Sequence, residues 1–292
     1  MSVEIVSDTG CGYNATDPEI TELGIHLLPI HTKFFIDGQT VVKADGELTP
    51  EEFLALMAKS TKQLPETDGS VLGPALELYP RLADSTQQIL SIHISSVLSA
   101  VYGSASVAAG EVMEKKPGLT IGLIDSKRVS LTQFLLVELA AKLAKAGASL
   151  AEIQEAVILA IPKTGLIVGL EKIDNLVRLG RAPKGLDKIA KWADAHILLG
   201  MSGESGELKR MGFVRGLSNI PQRLTDEVAS ACEKPGIAGL AIIHTGVPNM
   251  AGDLAGFLQE IYSGKILIKD ITGTGVSIHS AQGAVGVAFM TN

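Results

Sequence analysis

The sequence predicts an α/β protein of two domains: an N-terminal α/β domain on a parallel sheet (residues 1–160) and a C-terminal α+β domain with a mixed sheet (residues 161–292). Three observations predict it. Short apolar strands alternate with periodic helices up to about residue 160, the pattern of a parallel sheet covered by helices. Hairpin signals then mix with helices, and strict alternation ends. The 292 residues, 46% hydrophobic and 20% charged, suit one large or two ordinary compact domains and not a disordered chain.

The elements follow in order. "VEIVSD" (3–8) reads as a buried strand ending at Asp8. "GIHLLPIHTKFFIDGQTVV" (24–42) reads as strands broken at Pro29 and turned at Asp37-Gly38, a dipeptide suited to a tight hairpin. Thr49, Pro50 and Glu52 form a helix start with a capping box. "SIHISSVLSAVYGSASVAAG" (91–110) begins as a strand and ends as a helix of small residues, with Ser95, Ser96 and Ser99 at the junction. "PGLTIGLIDS" (117–126) is a strand, and Ser130 is expected to cap the helix that Gly147 closes. Ser149 and Glu152 form a second capping box. The boundary falls near residues 158–163; "KTGLIVGL" then reads as a strand and "KIDNLVRLG" as a short helix. Residues 195–216 read as a hairpin turned around Gly203 to Gly206, and two helices alternate with "GLAIIHTG", "KILIKDITG" and the closing strand "AVGVAFM".

Composition narrows the function. The net charge is -7 and the cations are interleaved with acids, which argues against nucleic acid, whose binding needs clustered cations. Cys11 and Cys232 stand far apart with no metal-binding spacing, as small buried residues of a reducing compartment do. The N-terminus lacks the basic and apolar regions of a signal peptide, and no apolar run approaches a membrane span. The expectation is a cytoplasmic protein without an integral membrane segment, using no metal or cofactor; transient membrane contact is left open.

The serine junction raises two readings. A helix N-terminus has unpaired N–H groups and a positive dipole end, so it accepts an anion. Ser99 lies about where the helix begins and could donate to a ligand carboxylate. Equally, Ser95, Ser96 and Ser99 could serve only the turn and cap. Tyr102 offers an apolar wall with a polar tip. Thr67 reads as a loop hydroxyl with no special local pattern. His93, His26, His31 and His196 read as structural; His244 ends a strand, where α/β proteins place ligands, and His279 precedes a glycine-containing turn. Arg181 follows Gly180 and is either solvated or a positioner of ligand loops. Asp8 and Asp125 end strands beside hydroxyl residues and read as structural.

Several segments together resemble the DegV family: "SDTGCGY", "ELGIHLLPI", "LTPEEF", "PETDGS", "ISSVLSAVYGSA", the run from "LIDSKRVS" to "LAEI", "DNLVRLGRAP", "GFVRG", "IIHTG" and "SIHSAQGAVGVAF", in that order across essentially the whole chain. The resemblance implies a ligand tunnel between the two domains holding one long-chain fatty acid. It implies a carrier that is not itself the catalyst and presents the carboxylate to a partner fatty acid kinase for conversion to acyl phosphate, in phospholipid metabolism. On this likeness Thr67, Ser96, Ser99, His279 and Arg181 face the carboxylate, His244 and Tyr102 are secondary candidates, and Arg215 faces the kinase. Departures from the family pattern fall at Asp68, Ala100, Ala281 and Gln282, and Asp68 would oppose a carboxylate unless it points away. Two other classes stay open. One is a lipid hydrolase or acyltransferase using Ser99 as nucleophile and His279 as base, though no Gly-x-Ser-x-Gly elbow surrounds Ser99. The other is a regulatory or structural protein with an empty core.

Overall fold

The computed structural model describes residues 2–60, 63–183 and 195–292. From the N-terminus the chain forms β1 (Glu4–Asp8), α1 (Pro18–Leu23), β2 (Ile25–Leu28), β3 (His31–Ile36), β4 (Gln39–Ala44), α2 (Pro50–Lys59), β5 (Glu66–Asp68) and α3 (Leu72–Leu82). It continues through β6 (Gln88–His93), α4 (Val101–Lys115), β7 (Thr120–Asp125), α5 (Leu131–Lys145) and α6 (Leu150–Ala160). The second half runs β8 (Thr164–Leu170), α7 (Asp174–Arg178), β9 (Ala195–Met201), β10 (Lys209–Arg215), α8 (Ile220–Cys232), β11 (Ile237–His244), α9 (Pro248–Gln259), β12 (Ile266–Asp270), α10 (Ser277–Ser280) and β13 (Val285–Thr291).

The predicted two-part α/β architecture is present. The first sheet has the order β2-β1-β6-β7, and its pairs are parallel. The second has the order β10-β9-β8-β13-β11-β12; β11 and β12 are parallel, and its other pairs antiparallel. Both capping boxes form, at Thr49–Glu52 and Ser149–Glu152. Asp37 and Gly38 turn the β3–β4 hairpin with φ of 50° and 78°, as the tight right-twisted hairpin turn requires.

Helix α5 joins the two sheets. Its residues from Leu131 to Val137 are all buried, the mark of an interior helix. It packs on β1 of the first sheet and on β8, β11 and β13 of the second. Around it a single apolar cluster includes Ile5 and Ile92 from one sheet and Leu166, Ala241 and Ala288 from the other.

Three local expectations change. A third, antiparallel sheet of order β4-β3-β5 puts Thr67 on a short strand, paired with Thr32, where a loop was expected. The N-cap position of α4 is Ala100 without a side-chain cap; Ser99 only accepts a long 3.4 Å bond from the Val101 N–H. Ser130 does not cap α5, because its backbone is held at φ 58°, ψ -149° by a 2.7 Å bond from its N–H to the Gly10 carbonyl.

Candidate functional site

Between the two sheets lies a cavity of about 930 Å³ of space free of protein atoms, its open mouth included. Its walls come from Ile94 after β6, Val129 before α5, Leu166, Val168 and Leu170 of β8, Leu199 of β9, and Ile243 of β11. Few polar groups reach it: Thr67, Ser99, Ser130, Arg181, His244, Thr245, His279 and Ser280.

Four of these converge. Gly69 follows β5 so closely against the serine turn that a Cβ there would lie 3.0 Å from Ser99 Oγ. A Cβ on Gly275 would lie 2.9 Å from Thr67 Cγ2, so glycine lets the segment leading into α10 approach β5. Helix α10 carries His279. Arg181 Nε donates to the Leu98 carbonyl at 2.8 Å, beside Ser99, and its charge is felt at His279. Burial pushes the His279 imidazole down to about 4, and Arg181 adds to the shift. His279 is therefore neutral at pH 7, and its Nδ1 has no hydrogen-bond partner among the described residues. The result is a set of neutral donors beside one guanidinium, suited to a carboxylate.

Asp68 does not oppose that arrangement. Successive strand residues face opposite sides, so Thr67 turns to the cavity and Asp68 away. The Asp68 carboxylate pairs with Lys33 Nζ at 2.8 Å, which holds it below the usual carboxylate range.

The serine turn divides its labour. Ser95 is buried and donates to the Gly206 carbonyl of the β9–β10 turn at 2.9 Å. Ser96 is exposed, is not part of the cavity wall, and gives its hydroxyl to Asp125 at the end of β7. Ser99 lines the cavity. Tyr102 lies outside the lining. His244 lines it, with its side chain 7% exposed and Nδ1 3.7 Å from Asp270 Oδ1; burial lowers its pKa and Asp270 partly opposes this. Arg215 ends β10 at the exposed edge of the second sheet, on the same strand as the exposed Lys209 and Arg210.

The structural readings of Asp8 and His93 acquire a geometry. His93 sits fully buried between Asp8 Oδ2, 2.9 Å from Nδ1, and Ser91 Oγ, 2.8 Å from Nε2. Ser91 Oγ also bonds Tyr79 at 2.9 Å. This line has the order of a nucleophile relay but is sealed in the first sheet's core. Asp8 also accepts the Gly10 and Ile94 N–H groups, fixing the strand ends beneath the cavity. No hydrogen bond joins Ser99 to His279 among the described residues.

Two supporting residues had no expectation attached. Asp45 accepts the Gly275 N–H at 2.9 Å and the Thr9 hydroxyl at 2.8 Å, clasping the segment that leads into α10; burial pushes its carboxyl up to about 7. Arg128 is wholly buried, with no acid partner among the described residues. Its guanidinium donates to Thr164 Oγ1 and to the carbonyls of Lys127, Ile161 and Gly203, tying the β7–α5 connection to the second sheet. No local pattern in the sequence marks either residue.

Fold and cavity together describe an α/β protein with a largely apolar cavity between its two larger sheets. The family model described as "Uncharacterised protein, DegV family" matches residues 2–292, and the chain belongs to the DegV family. A DegV domain-containing protein of Streptococcus pyogenes is 29% identical over 289 residues, 98% of each chain. Two solved structures share the fold over 100% of both chains. One is the fatty acid kinase B3 protein of Streptococcus pneumoniae loaded with linoleic acid (TM-score 0.83, 24% identity). The other is a fatty-acid-binding DegV family protein of Thermus thermophilus (TM-score 0.86, 19% identity). Among the described residues no helix is long and apolar enough to cross a membrane.

Proposed function

We propose that this protein is a non-catalytic carrier, cytoplasmic and with its domains meeting at residues 160 and 161, that binds one long-chain fatty acid in the cavity and presents its carboxylate to a partner kinase. The observation that carries this is the convergence of Thr67, Ser99, Arg181 and His279 on a cavity walled mainly by aliphatic side chains. Burying about 16 carbons at about 0.8 kcal/mol per CH2 contributes on the order of 12 kcal/mol gross, less the costs of ordering. The neutral hydroxyls and imidazole then fix the head group while Arg181 supplies the charge. The linoleic acid in one relative and the fatty acid binding of the other support the ligand class, and the B3 protein's place in a fatty acid kinase supports the partner.

The docking face we assign is the β10 edge, where Arg215, Lys209 and Arg210 offer cations to an acidic partner surface. Extraction of the purified protein followed by lipid mass spectrometry tests the core of the reading. About one long-chain acid per chain is expected; no extracted acid together with no uptake of added acid would refute it.

A further inference from the structure

Ser130 occupies the position where a helix usually carries a capping side chain, yet its hydroxyl serves no helix N–H. The residue is 1% exposed, and its Oγ has no hydrogen-bond partner among the described residues. The side chain lines the cavity. Its backbone, at φ 58° and ψ -149°, lies in a region that belongs essentially to glycine and persists only where the surroundings fix it. The Gly10 carbonyl fixes it on one side, and the Gln133 and Phe134 N–H groups hold its carbonyl on the other. Buried hydroxyls are normally satisfied. This one is held in a strained geometry against an apolar space.

Ser130 and Arg181 meet the cavity near different ends of β8. Thr132, in the first turn of α5, donates to the Gly165 carbonyl, which puts that end of the helix beside Leu166. Arg181 bonds through its N–H to the Leu176 carbonyl, and Leu176 packs with Leu170. Leu166 and Leu170 both line the cavity and are roughly 13 Å apart along the strand. An acid held by its carboxylate at Arg181 and His279 therefore passes Ser130 with the middle or far part of its chain.

We propose that Ser130 is a second polar subsite for an oxygen carried on the acyl chain, so that the cavity accepts hydroxylated long-chain acids whose hydroxyl reaches it. The proposal rests on the fatty-acid reading above. A serine hydroxyl both donates and accepts, so it meets a chain hydroxyl in either direction, and the positive end of α5 favours an oxygen beside it. Where the wall is Val168, Leu199 or Ile243, a chain hydroxyl is desolvated without a partner.

The test is displacement of a fluorescent fatty acid by stearic acid and by hydroxystearic acids with the hydroxyl moved along the chain. The parent, Ser130→Ala and Ser130→Gly are compared; glycine suits the local φ, so that variant keeps the fold without the hydroxyl. In the parent, one favoured hydroxyl position should bind within about threefold of stearic acid, the others about tenfold or more below it. Both variants should lose the favoured position by about tenfold or more while holding stearic acid at least as tightly. Stearic acid binding in the parent with no favoured position refutes this subsite alone. Equal weakening of plain and hydroxylated acids in both variants also refutes it, by placing the carboxylate at Ser130. No binding of stearic acid by the parent refutes the fatty-acid reading and this subsite with it.

Discussion

Acidification should tighten acid binding over the range in which His279 takes up a proton. In the ligand-free protein, burial and then Arg181 push its imidazole from 6.5 to about 4. A carboxylate bound beside it favours the charged form and raises that value. With the imidazole back near its ordinary value in the complex, binding takes up a proton between about pH 4 and 6.5, and each pH unit there strengthens binding by up to about tenfold. Without ligand the sign reverses. The folded value lies below the unfolded one, so the unfolded chain binds the extra proton; stability is full above about pH 6.5 and falls by up to about 1.4 kcal/mol per unit toward pH 4. Calorimetry in two buffers of different ionisation enthalpy measures the proton directly. Near pH 5.5 uptake of about one proton is expected, near pH 7.5 almost none, and His279→Gln should abolish uptake and flatten the pH slope of stability. Proton-free binding at the lower pH, or an unchanged slope in His279→Gln, would refute the reasoning.

Thr67→Ala and Ser99→Ala should each weaken acid binding by about 1 to 3 kcal/mol, since each donor faces a charged acceptor; a double variant with parental affinity in a displacement assay places the head group elsewhere. Arg215→Ala should keep lipid content and melting temperature yet raise the apparent Michaelis constant of the partner kinase, most clearly at low ionic strength; early melting or lipid loss would make the residue structural. Arg128→Met should cost about 3 to 5 kcal/mol in denaturant unfolding, because it strips a charged donor from buried acceptors on both sides of the α5 junction; a loss under about 1 kcal/mol would mean that those acceptors find water.

What was legible in the sequence is local. The capping boxes at Thr49 and Ser149 need only residues three apart, and the Asp37-Gly38 turn needs only two. The ordered DegV segments carried the family likeness because they run the length of the chain. At the site, the same likeness pointed to Thr67, Ser99, Arg181, His244 and His279, all of which line the cavity. It also pointed to Ser96 and to Tyr102, which do not. Nothing within the turn separates Ser96 from Ser99; the difference is Asp125, which strand β7 delivers beside Ser96.

Tertiary structure alone decided the rest. Thr67 becomes a strand residue because β3 pairs with it, and that pairing turns Asp68 outward to Lys33. Ser130 reads as a cap by every nearby rule, but the Gly10 carbonyl holds its backbone where the hydroxyl cannot reach the helix. Arg128 has no acid among the described residues to announce it; its acceptors are carbonyls and a hydroxyl gathered from three separate segments. Local propensities and caps are set by neighbours in sequence and so can be read there. Which buried polar group meets a partner, and which is left facing a cavity, depends on how distant segments pack.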